Sequence, residues 1–154
     1  IKFHIIGGFN AEDIDVSEIK VKIKFYGYQD FKNLELIFKE IDIIISPNKS
    51  FVLNKGSFDG FPLGTIIEAS LNGVLAIVTD DLNQNTNFKN NEELFITKSN
   101  CYEIEKVVNY LIANPKRIIE IAQKGKTKFQ QVYSNRNQML PRIQLLQNLI
   151  DEIQ

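Results

Sequence analysis

The amino-acid sequence predicts an α/β fold, a parallel sheet with helices on both faces. Three observations predict it. Short apolar runs end repeatedly in glycine-bearing turns. The segments between them carry apolar residues at helical spacing. One run, Ile41-Asp42-Ile43-Ile44-Ile45-Ser46, is almost continuously β-branched, as in a central parallel strand buried on both faces.

The elements follow in order. KFHIIG, residues 2–7, reads as a buried strand entering the turn at Gly7 and Gly8. VKIKFYGY, residues 21–28, alternates Val21, Ile23 and Phe25 against lysines and ends at Gly27. From Asp30 to Glu40, Phe31, Leu34, Ile37 and Phe38 recur at helical spacing, with Asp30 as N-cap. After the 41–46 strand, residues 47–58 form a polar loop. A helix is expected over residues 65–72, ended by Gly73 as a C′ glycine, then a strand over 75–79 and a shorter one over 93–97. A helix over 102–113 turns Ile104, Val107, Val108 and Leu111 to one side. Asn114-Pro115 caps and starts the next, with proline at the first helical position. That helix carries Ile118, Ile119, Ala122 and Phe129. The last, over 135–153, is expected to turn Leu145, Leu146, Leu149 and Ile150 inward, with Pro141 kinking or restarting it.

Composition excludes several classes. The chain has 154 residues, 44% hydrophobic and 24% charged, enough for one domain with a sizeable core. Its formal net charge of −1, with scattered lysines, gives no electrostatic case for a nucleic-acid partner. The lone Cys101 permits no internal disulfide and reads as a small buried hydrophobe. The lone His4 lies within an apolar strand pattern, and no His/Cys cluster suggests zinc. No segment reaches the ~20 apolar residues of a membrane span, and no signal peptide is evident. The chain opens on Ile1 rather than Met and enters a strand-like run at once, so it reads as a single-domain fragment of a longer protein.

Open parallel sheets bind ligands beyond the carboxyl ends of their strands. This singles out Gly7-Gly8-Phe9, Gly27-Tyr28-Gln29, residues 46–64 and residues 80–85. Within the third lies DGFPLGTIIEA, residues 59–69. Gly60 and Gly64 allow backbone conformations and close approaches that a Cβ disfavours. The helix start at Thr65 presents unpaired N–H groups suited to a phosphate. Glu68 falls one turn into that helix among Ile66, Ile67, Ala69 and Leu71. A carboxylate there should be partly buried, and a pair of sugar or ribose hydroxyls would satisfy it. Asp59 would reach the same ligand from before the turn. Together these suit two hydroxylated rings joined by phosphate, a nucleotide sugar. Taken alone, the acid pair also fits a loop acid and a helix-capping acid.

The longer string DGFPLGTIIEASLNGVLAIVTDD resembles the donor-binding motif of retaining GT-B glycosyltransferases of the large family four type: an acid with Gly-Phe, a short turn, Glu-Ala, then a glycine and an apolar strand. HIIGGF resembles the first strand and glycine-rich turn of that domain. YGY with its helix resembles the loop framing the nucleobase, and NYLIANPKRIIEIAQKGKTKF the closing helices. Three positions depart from the pattern. Asp59 replaces a glutamate, the spacing to Glu68 is one residue longer, and Val74-Leu75 stands where Pro is usual.

The resemblance implies a Rossmann-like parallel sheet flanked by helices, the C-terminal half of a GT-B fold, with its first βα unit missing. It implies that Glu68 holds the ribose hydroxyls and that Asp59 faces the transferred sugar. Backbone N–H groups of Phe61, Leu63, Gly64 and Thr65 would contact sugar and diphosphate, while Pro62 has no N–H to donate. Gly7 and Gly8 would admit the phosphates. Tyr28 would pack on the base or form part of the rim. The implied chemistry is metal-free transfer of a hexose with retention from a UDP-, GDP- or dTDP-linked donor. The acceptor would be a glycan or lipid-linked molecule held by an N-terminal domain, in polysaccharide biosynthesis, in the cytoplasm or peripherally at the inner membrane face. The Arg and Lys that the family places on the diphosphate belong to the absent unit, so Lys49 and Lys55 read as solvated loop charges. Two alternatives stay open: a non-catalytic nucleotide(-sugar)-binding module, and another GT-B enzyme such as a sugar-nucleotide epimerase.

Overall fold

The computed structural model describes residues 1–8, 12–13, 15–17, 22–52 and 54–152; Phe9 and Val21 lie outside them. The chain packs as two compact units, Ile1–Ile41 and Asp42–Gln154. The first holds strands β1 (Lys2–Ile5) and β2 (Lys22–Phe25) and helix α1 (Phe31–Phe38). The second holds β3 (Ile43–Ser46), α2 (Gly64–Leu71), β4 (Leu75–Thr79), β5 (Phe95–Thr97), α3 (Cys101–Ala113), α4 (Pro115–Tyr133) and α5 (Asn135–Asp151). Both sheets are parallel, the first ordered β1-β2 and the second β3-β4-β5.

In the first unit Lys2 to Ile5 pair in register with Lys22 to Phe25. The turns after both strands are tied together, Gly7 N–H donating to the Gly27 carbonyl at 2.9 Å. Both glycines have positive φ. His4 is a paired side chain, its Nδ1 lying 2.8 Å from the Tyr26 hydroxyl and its ring stacked on the Tyr26 ring. Asp30 caps α1 as expected, its carboxylate accepting from Asn33 N–H at 2.8 Å. Ile37 and Phe38 form the buried side of that helix.

In the second unit β4 is the middle strand and every residue in it is buried. Its side chains alternate between two cores. Ala76 and Val78 pack with Ile66, Phe88, Leu94 and Phe129. Leu75 and Ile77 pack with Phe95, Leu111, Ile121 and Ala122 on the other face. The run expected as the central strand is therefore β3, an edge of this sheet, and Ile45 is 39% exposed. The LAIVT run, apolar but for its last residue Thr79, takes the middle, with β3 and β5 beside it and a hydrophobic cluster on each face. The opposite edge is closed by a side chain: Asn90 accepts from Ile96 N–H at 2.8 Å and donates to the Ile96 carbonyl at 3.2 Å. This satisfies the outward backbone groups of β5 much as another strand would.

Gly73, at φ +86°, ends α2 in a Schellman pattern, with Val74 N–H donating to the Ala69 carbonyl and Gly73 N–H to that of Ser70. Three expectations need correction in the helices. Asn114 does not cap α4 through its side chain; its amide donates back to the Tyr110 carbonyl at 2.9 Å and closes α3 instead. Cys101 is exposed, because it is the first residue of α3, just outside the core after the N-cap Asn100. In α5, Leu145, Leu146, Leu149 and Ile150 are 47–60% exposed rather than inward, and the helix runs through Pro141 without restarting. A proline costs one backbone hydrogen bond, and here the bonds on either side hold the helix. In α4 the buried positions are Ile121, Ala122, Gly125 and Phe129, while Ile119 is 74% exposed, a rotation fixed by the 3.6-residue period. No helix among the described residues is long and apolar enough to cross a membrane.

Candidate functional site

Three segments beyond the carboxyl ends of β3 and β4 converge in the second unit. A small recess of about 60 Å³ is lined by Asn48 and Lys49 after β3, by Asp59, Gly60 and Phe61 before α2, and by Asp80 and Asp81 after β4. The Thr79 hydroxyl donates to the Asn48 carbonyl, joining two of these segments. Asp80 is committed to its own loop. One oxygen accepts from Gln84 N–H at 2.8 Å and the other from Asn85 N–H at 2.9 Å. Asp81 accepts from the Ser99 hydroxyl at 3.2 Å.

Asp59 is exposed at the recess. Gly60 follows with φ +83°, a left-handed turn that glycine adopts without strain. The Phe61–Pro62 peptide is cis. The partly buried Phe61 and Leu63 pack against the cluster that contains Ile66 and Phe129, leaving their backbone at the turn. α2 begins at Gly64, one residue before the expected start, and its N-cap Leu63 makes no side-chain hydrogen bond to the first turn. Its leading N–H groups, including those of Gly64 and Thr65, therefore receive no cap from a polar side chain. Glu68 lies in the second turn, half-buried as expected from its apolar neighbours.

The structure thus gathers Asp59, Gly60 and Phe61 in one recess and strings Pro62, Leu63, Gly64, Thr65 and Glu68 along the turn and helix that leave it. Gly7, Gly8 and Tyr28 belong to the first unit. There Tyr28 is 87% exposed and its hydroxyl sits over Gly8, where a Cβ would lie 2.8 Å from it. Asp80 and Asp81 were visible only as a loop; the pair directly after a strand, with Asn85 five residues on from Asp80, signals a self-capped turn.

The fold is the Rossmann-like α/β arrangement of GT-B glycosyltransferase C-terminal domains. The profile of the glycosyl transferases group 1 family matches residues 1–128, and the chain belongs to that family. Solved structures share the fold at low identity. Sucrose-phosphate synthase from Thermosynechococcus elongatus superposes with a TM-score of 0.73 at 15% identity, over 97% of this chain and 38% of that one. A glycosyltransferase from Rickettsia africae gives 0.70 at 17% identity, over 91% and 35%. The Anabaena protein HepE, solved in complex with UDP and glucose, gives 0.64 at 15% identity, over 91% and 39%. The chain thus spans well under half the length of each. No curated protein matches the sequence.

Proposed function

We propose that this chain is the donor-binding domain of a retaining, metal-independent glycosyltransferase that takes a nucleotide sugar and works as part of a longer enzyme. The observation that carries the reading is the start of α2. A left-handed glycine turn delivers an exposed acid, Asp59, to a recess. The helix then opens with no side-chain cap, and a half-buried acid, Glu68, follows one turn in. An uncapped helix start favours an anion, by about 0.3–1 kcal/mol from the dipole and more from each charge-assisted hydrogen bond. Glu68 would accept from ribose hydroxyls and Asp59 from hydroxyls of the transferred sugar, while N–H groups of Phe61, Leu63, Gly64 and Thr65 would hold sugar and diphosphate. In the first unit, Tyr28 offers an exposed ring suited to stacking on a planar base.

The partial coverage of its structural neighbours supports the part-of-a-whole reading. The acceptor, a glycan or lipid-linked molecule, would be held elsewhere in the enzyme. The test is a thermal-shift and protein-observed NMR screen with UDP, GDP, dTDP and their sugars on the wild type and Glu68→Ala. Stabilisation follows RT ln(1 + [L]/Kd), so millimolar ligand reveals weak binding. One nucleotide shifting the wild type but not the variant is the expected result. Equal shifts in both proteins would overturn the assignment of Glu68.

A further inference from the structure

We propose that the open groove along β5 and α3 is a binding site for a neutral oligosaccharide, separate from the turn that opens α2. The groove has a volume of about 770 Å³, within the roughly 300–1,000 Å³ of small-molecule sites. Its charged lining is balanced, with Asp80, Asp81 and Glu103 against Lys98, Lys106 and Arg117. Such a lining favours neither a polyanion nor a polycation. Three of these groups are committed within the protein. Asp80 accepts from the N–H groups of Gln84 and Asn85, and Asp81 from the Ser99 hydroxyl. Arg117 donates to Glu120 and to the Asn91 carbonyl. The charged ends of Glu103, Lys98 and Lys106 make no ion pair or hydrogen bond with a described residue. One free acceptor among two free donors suits hydroxyl groups, which both donate and accept.

The apolar part of the lining comes from Phe95, Ile96, Val107 and Tyr110. The Tyr110 ring is 44% exposed and meets the buried Phe95 ring edge-on, with 6.2 Å between centroids. That contact orients the ring and leaves much of it open. A pyranose has a C–H face that packs on an aromatic ring and a rim of hydroxyls that meets the polar groups around it. A peptide fits less well. Extended peptides add to a sheet edge through backbone hydrogen bonds, and the Asn90 side chain already takes both the N–H and the carbonyl of Ile96. Asp80 and Asp81 also line the recess that holds Asp59, so groove and recess meet at this pair. The binding site stands on the groove alone; its role rests on the glycosyl-transfer reading. A glycan whose reacting end is held elsewhere in the enzyme would gain a second hold here, next to the recess.

The experiment is protein-observed NMR of the chain titrated with millimolar maltopentaose, cellopentaose and xylopentaose, alongside a heparin hexasaccharide and an extended heptapeptide. At least one neutral saccharide is expected to shift the amides of residues 95–98 and 103–110, with heparin and peptide shifting neither set. Tyr110→Ala should weaken that binding about five- to tenfold, and Tyr110→Phe, which keeps the ring, should stay within about twofold of the wild type. Glu103→Ala with Lys106→Ala, which leaves the ring in place, should weaken it about fivefold. Melting temperatures of all three variants report on folding. No shift in the groove with any of the three saccharides, shifts that map outside it, a stronger response to heparin or the peptide, or wild-type binding by the Glu103→Ala, Lys106→Ala protein would overturn the proposal. UDP titrated into the same samples reads the turn over residues 59–68, so failure of the donor reading is distinguishable from failure of the groove.

Discussion

Gly125 lies near the middle of α4, where glycine is about 1 kcal/mol worse than alanine on helix propensity alone. Gly125→Ala should nonetheless destabilise the protein. A Cβ built there falls 2.3 Å from the Glu93 carbonyl oxygen, about 1 Å inside an ordinary C···O contact of about 3.3 Å. That oxygen cannot swing aside like a flexible side chain. Its turn is pinned by Asn91 N–H to the Leu94 carbonyl at 2.8 Å, by Glu93 N–H to the Lys89 carbonyl at 3.0 Å and by Lys89 N–H to the Glu93 carboxylate at 2.8 Å. The alternative is to move α4 outward, which loosens Phe129 against Phe88 and Leu94 on one side and Ile121 against Leu75 on the other.

Overpacking of this kind costs about 1–3 kcal/mol and sometimes more. With a backbone neighbour and two cores to disturb, the upper part of that range applies. Subtracting the propensity gain leaves a net loss of about 1–2 kcal/mol, or a melting temperature lower by about 3–6 °C for a domain of this size. Urea titration and thermal melts measure it. Gln123→Ala, on the exposed side of the same helix, isolates propensity and should be neutral or slightly stabilising. A Gly125→Ala protein as stable as the wild type, or more so, would refute the reasoning, since the close approach of α4 to the Glu93 turn would then not be real.

Ser70 makes a contrasting case: its hydroxyl is buried with no hydrogen-bond partner among the described residues, so Ser70→Ala should raise stability by about 1 kcal/mol, read from the urea midpoint. Burial pushes the Tyr133 hydroxyl pKa up. A raised folded value means that its contribution is fully present below the unfolded pKa of about 10 and is lost as pH rises through the folded value; Tyr133→Phe should leave neutral stability nearly unchanged and flatten the loss measured between about pH 9 and 11. In the intact enzyme, Glu68→Ala should lower donor affinity about 10- to 100-fold, from the loss of one or two charge-assisted hydrogen bonds, as followed by nucleotide-sugar titration.

What the sequence disclosed, and what it hid, divides along physical lines. Local chemistry was legible. Asp30 before a helical repeat, Gly73 after one and Gly60 in the site turn each answer to backbone geometry that only a few residue types satisfy, and all three hold in the structure. The half-burial of Glu68 was legible too, since four apolar neighbours on a short helix leave an acid little open surface. Depth was not. A run of isoleucines says that a strand is apolar but not which strand lies beside it: β3 carries that run, and β4 holds the middle of the three-stranded sheet. The same limit governs α5: apolar periodicity says that a helix has a face to cover, not that the cover lies within reach.

Contacts between distant segments escaped for a related reason. Nothing local marks Asn90 as the closure of β5, or Gly125 as the point where α4 meets the Glu93 turn, because each is defined by a partner elsewhere in the chain. The two edges of the second sheet sharpen the point. β5 is three residues long and its outward amide and carbonyl are both taken by one asparagine side chain. β3 is longer and strongly apolar, and carries no comparable closure among the described residues. Proteins ordinarily cover, charge or shorten the edges of their sheets. One edge of this sheet is finished by its own chain. The other has the composition of a strand that pairs on both sides, so composition alone could not tell its place in the three-stranded sheet from that of β4.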